Sequence, residues 1–133
     1  MAIKYRVKTK PDNINKRAAP RYYAVPVRTG EIDLRWIAKR LSERSSLTSG
    51  DIFATIIGLV EILETSLHDG YSVRIDGLGI FTLSVSSDGY DHPNDCMPHR
   101  VEARKICFRA DPRLKKQLKH VKFVRDKELR VMQ

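Results

Sequence analysis

Arg74 to Phe81 reads RIDGLGIF, with Gly77 and Gly79 separated by one residue and flanked by apolar side chains. A phosphate-cradling loop uses such glycines to bring backbone N–H groups close to an anion, but it needs a third glycine and a helix beginning at the phosphates. Here Gly79 runs directly into IFTLSV, so the pair is read as a tight bend between strands. A second group, His92, Cys96 and His99 with Asp91 and Asp95, carries side chains that a divalent metal would use. Its H-x3-C-x2-H spacing is not a standard zinc pattern, and a proline-containing loop makes a poor cage. We read a polar, turn-rich tip there and no metal site. With no nucleophile elbow, no paired carboxylates and no Walker loop, the chain reads as a non-enzyme that requires no cofactor.

The side chains with the clearest chemical direction are the cations. The 133 residues include 25 Lys and Arg against 16 Asp and Glu, a net charge of +9. Residues 1–30 hold eight Lys/Arg against one Asp, residues 31–100 hold six against eleven acids, and residues 101–133 hold eleven against four. Two basic ends around an acidic centre suggest an anionic partner, nucleic acid first and anionic lipid second. In the N-terminal segment Lys8, Lys10, Lys16, Arg17 and Arg21 are candidate phosphate contacts; the alternative is a disordered solubilising tail. Tyr22 and Tyr23 could stack on unpaired bases, although aromatics in a β-like segment more often pack. No apolar run reaches the about 18 residues that cross a bilayer, and MAIKYRVKTKP lacks a signal-like stretch, so a cytoplasmic protein is expected. Cys96 and Cys107 are too few for a disulfide framework and are read as reduced thiols.

The elements that must position these residues follow from periodicity. Residues 1–30 contain three of the six prolines and form an arm or an added edge strand, with Pro26 confining YYAVPV to an edge. Leu34, Ile37, Ala38 and Leu41 behind Asp33 predict a short amphipathic helix. Thr48 with Asp51 three residues on opens a longer helix that ends at Gly70, apolar over a wide arc from Ile52 to Leu67. Such an arc needs cover on more than one side, from a sheet or a second subunit. Trp36 and Phe53 are expected in that core or interface, and His68 complements the helix C-terminus. Alternation predicts strands at Val73–Ile75, Phe81–Val85 and again in VEARKICFR, joined by two hairpins. Pro112 after an Asp111 cap opens a last helix, with Leu114, Leu118 and Val121 on one face, followed by a basic tail over 122–133.

This order of elements resembles the HU and IHF histone-like proteins, bacterial architectural DNA binders. The resemblance is carried by the helix pair Asp33–His68, by DGYSVRIDGLGIFTL with its Gly-x-Gly-x-Phe element at Gly77–Phe81, and by FRADPRLKKQL from Phe108 to Leu118. The preceding PRYYAVPVRTGEIDL is similar to the leader of a Bacteroidetes variant with an N-terminal extension. The resemblance implies an α+β fold of two N-terminal helices, an antiparallel sheet with a protruding β-arm and a short C-terminal helix, occupying residues 31–121. It also implies a homodimer whose sheets form a saddle on double-stranded DNA, with arms in the minor groove. Arg109 and Lys115 fall where the family places phosphate-contacting cations; Lys116 and Lys119 extend that patch, and Arg100, Arg104 and Lys105 lie on or beside the returning arm strand.

The arm departs from the family. HU-type arms carry an Arg-Asn-Pro step, whereas this chain has His92-Pro93-Asn94 and Met97-Pro98-His99, which makes Pro93 the candidate wedge. Residues 84–105 hold three Lys/Arg against four acids, so the arm is not electropositive and only modest bending is expected. The expected function is therefore sequence-tolerant binding of duplex DNA in the nucleoid. Its rival is an HU-like assembly module that has lost bending and uses the acidic arm on a basic protein. RNA is a lesser option resting on the tyrosines, and no membrane partner is expected.

Overall fold

The computed structural model describes residues 2–10 and 19–126, which fall into two compact units, Met1–Asp33 with Leu118–Gln133 and Leu34–Gln117. The described residues form an α+β protein with three α-helices and two three-stranded sheets.

In the first unit, β1 (Ile3–Lys10) is the centre of a sheet with strand order β2-β1-β6. β2 (Arg21–Pro26) pairs with it antiparallel, and Pro26, which lacks a backbone donor, closes this edge strand. The other edge is β6 (Phe123–Arg125), parallel to β1. Backbone bonds extend that pairing at both ends, Ile3 N donating to Lys122 O at 2.8 Å and Asp126 N to Tyr5 O at 2.9 Å. Composition alone marks this last stretch as a basic tail; the strand exists because β1 supplies backbone partners from the opposite end of the chain.

The second unit begins with α1 (Leu34–Ser42) and α2 (Ser49–His68). The Thr48 hydroxyl accepts from Asp51 N at 3.1 Å, satisfying one of the orphan donors of the first turn of α2. At the other end Gly70, with φ 90°, lets its N–H reach Leu67 O and lets Tyr71 N reach Ser66 O, a Schellman ending. Ala38, Ile52 and Leu67 are the buried apolar residues among those described. Ile57, Leu59, Val60 and Ile62 remain exposed on α2, on both sides of the buried stripe, so the apolar arc is wider than what the described residues cover. Trp36 is also exposed, with Arg40 stacked 5.0 Å above its ring.

The second sheet has order β3-β4-β5, from β3 (Val73–Ile75), β4 (Gly79–Ser86) and β5 (Glu102–Ala110), all antiparallel. Phe81 faces Phe108 with ring centroids 4.8 Å apart. A register shift at Ser84/Val85 leaves Arg104 as the extra residue of a bulge, where the ribbon enters the arm loop. That loop contains two 3-10 turns, Pro93–Asp95 and Pro98–Arg100, each opened by its proline. After Asp111, α3 (Pro112–Lys116) is only five residues long and tightens into a 3-10 turn over Gln117–His120. The short C-terminal helix is present, but only its first part is α: Leu118 and Val121, expected on one face with Leu114, lie in and after the 3-10 turn. Leu118 is exposed and gives no packing, while Lys115 and Lys119 would repel each other across a helical turn. Among the described residues no helix is long and apolar enough to cross a membrane.

Candidate nucleic-acid interface

Three cations converge where β3, β4, β5 and α3 meet. Arg74 on β3 and Arg109 on β5 are both register partners of Ile80 on β4, so the two arginines flank it on one face of the sheet, about 10 Å apart from backbone to backbone. Lys115 joins them from α3 around a pocket of about 460 Å³, lined also by Asp76, Gly79, Asp111 and Pro112. Three cations against two carboxylates leave this concave surface positive on balance.

The sequence folds this way because the chain reverses twice at this spot. Leu78 N donates to Ile75 O at 3.0 Å across a turn that needs Gly77 at φ 84°. Gly79 then has β5 against it: a Cβ there would meet the Arg109 carbonyl oxygen and lie 2.7 Å from the Phe108 ring. The two glycines thus serve a bend between strands, Gly77 through its positive φ and Gly79 through close packing on β5, and that packing brings Arg109 beside the turn. Asp111 N donates to Leu78 O at 3.0 Å, and the Asp111 carboxylate accepts from Arg113 N at 2.9 Å. These two bonds tie the start of α3 to the turn and hold Lys115 at the pocket.

Of the other candidates, Lys105 shares the face of Arg109, two steps along β5 past Cys107, while Arg104 sits at the bulge. Lys116 is exposed on α3, and Lys119 lies in the following 3-10 turn. Arg100 stacks 5.1 Å above the Tyr90 ring and donates to Asp95 O at 3.1 Å, holding the arm loop together. Pro93 is exposed and opens a 3-10 turn. His92 Nδ1 accepts from Asn94 N and the Cys96 thiol lies 4.0 Å from the Ser87 hydroxyl; no three His, Cys, Asp or Glu side chains converge among the described residues. Lys8 faces Tyr23 and Lys10 pairs with Arg21 in the sheet of the first unit. Lys16 and Arg17 lie outside the described residues. Arg74 was missed by sequence reasoning, although pairing Val73–Ile75 with the strand after Gly79 puts it across from Ile80.

The same chain, over residues 1–125, matches the model of a family described as HU-HIG, "HU domain fused to wHTH, Ig, or Glycine-rich motif". The chain belongs to the HU-HIG family. Among solved structures, this HU-HIG chain is similar to one from Bacteroides vulgatus ATCC 8482, described as a "Putative bacterial DNA binding protein". The TM-score is 0.61 at 14% identity, over 90% of this chain and 47% of the other, so the chain spans about half the length of that relative. No curated protein matches the sequence.

Proposed function

We propose that the protein is an architectural binder of double-stranded DNA, largely indifferent to sequence, that bends its target modestly. The observation that carries this reading is the convergence of Arg74, Arg109 and Lys115 around one concave, net-positive surface within an HU-HIG chain. In this reading the cations neutralise phosphates, which positions a duplex but does not select its sequence. Lys105, Arg104, Lys116 and Lys119 extend the contact, and Lys8, Lys10, Lys16, Arg17 and Arg21 of the N-terminal extension add to it. The DNA-binding description of the Bacteroides vulgatus relative points the same way.

A homodimer is part of the proposal, since the apolar residues that α2 exposes are suited to a second copy. The HU-like part is assigned to residues 31–121, and the place of action to the nucleoid. Pro93 is the proposed wedge, though a proline opening a 3-10 turn in an acidic loop supports a shallow bend better than a sharp kink. That loop, with Asp88, Asp91 and Asp95 exposed, favours the second reading: an assembly module gripping a basic protein.

The test is a salt titration of binding to short duplexes of unrelated sequence. The proposed mode predicts similar affinities and a steep slope, with log K falling by roughly 0.9 per neutralised phosphate per tenfold salt. Absence of duplex binding at low salt would transfer the function to the assembly reading.

A further inference from the structure

The sheet of the first unit sorts its side chains more sharply than a solvated charged surface would. Residues directly opposite in a sheet share a face, and successive residues alternate. The register places Lys4, Arg6 and Lys8 of β1 on one face with Arg21, Tyr23 and Val25 of β2 and Val124 of β6. The other face carries Tyr5, Val7 and Thr9, all half-buried, with Ile3, Tyr22, Ala24, Pro26 and Phe123 and a single cation, Arg125, on the edge strand β6. No acidic residue occurs in any of the three strands.

Tyr23 is therefore an aromatic set among cations. It is 49% exposed, lies directly opposite Lys8, and has Arg21 two residues away on the same strand face. Lys4, Lys8 and Arg21 are exposed, and same-face neighbours along a strand are about 7 Å apart. Tyr22 points to the opposite face, so only one of the two tyrosines belongs to this surface. Cations alone would suit a duplex backbone. An exposed ring between them adds a π-surface that a duplex cannot use, because its bases are already stacked.

We propose that this face of the β2-β1-β6 sheet binds single-stranded DNA, with one base stacked on Tyr23 and the backbone held by Lys4, Lys8 and Arg21. Lys8 and Arg21 also belong to the duplex contact proposed above, so Tyr23 is what distinguishes the single-strand site; the choice of DNA over RNA rests on the duplex reading.

The test uses the full chain, with oligo(dT) and oligo(rU) of about 15 nucleotides and a short duplex as probes in parallel. Tyr23→Ala is expected to weaken oligo(dT) binding roughly tenfold, Tyr23→Phe to retain it, and neither to change duplex binding. Lys8→Ala and Arg21→Ala should each flatten the single-strand salt slope by about 0.7. The variants are compared at matched melting temperatures, and Tyr23→Phe and Lys8→Ala remain informative if Tyr23→Ala does not fold. Unchanged oligo(dT) binding in Tyr23→Ala, an equal loss on both DNA forms, or tighter binding of oligo(rU) than of oligo(dT) would overturn the proposal. Should Arg109→Ala and Lys115→Ala leave duplex binding intact while Tyr23→Ala still lowers oligo(dT) binding, the duplex reading fails and the single-strand site stands.

Discussion

Arg109 and Lys115 line the same pocket from different elements, and in the proposed mode both meet phosphate. Replacing either by alanine should weaken all duplex sequences about equally and reduce the salt slope by about 1, measured by fluorescence anisotropy at several salt concentrations. Arg74→Ala should do the same, since it flanks Ile80 opposite Arg109. Gly79 contributes through space. A Cβ there would have to displace β5 backbone or the Phe108 ring, so Gly79→Ala is expected to cost about 1–3 kcal/mol, read as a lower melting temperature. At this scale composition and family position single out Arg109 and Lys115 as candidates but not Arg74, whose place beside them depends on which residue it faces across the sheet.

Among the elements, α2 was legible almost to its ends, because its signals are local. Thr48 supplies the cap, Gly70 the left-handed exit, and apolar residues at Ile52, Ile56, Leu63 and Leu67 the inward stripe. Removing the cap with Thr48→Ala should cost about 1 kcal/mol, seen as a melting shift of a few degrees. The exposed apolar residues flanking that stripe make a different prediction. Ile62→Lys adds charge to a residue 66% exposed in the single chain, so it should leave the protomer folded and shift the mass measured by light scattering from dimer to monomer. α3 was less legible. Pro112 and the Asp111 cap mark its start, but its length is set by what packs on Leu114 and Leu118, both of which are exposed.

For the whole molecule, each of the two units carries a cationic surface, one around the pocket at the β3–β4 turn and one on a face of β1 and β2. Combining Arg109→Ala with Tyr23→Ala should therefore lose duplex and single-strand binding together, each by the amount of its own single variant, in the same anisotropy assay. By itself the sequence determined what is local and periodic: the charge distribution, the caps, the helical and alternating stretches, the bend at Gly77 and Gly79, and through their order the HU-like family. Only the tertiary structure decided the pairings between distant segments. It joined Phe123–Arg125 to β1, set Arg74 and Arg109 on either side of Ile80, and separated Tyr23 from Tyr22 by placing one among cations. The physical reason is that a strand carries its own alternation but not its partner: register comes from backbone hydrogen bonds between chain segments far apart in sequence, and register chooses which side chains share a face.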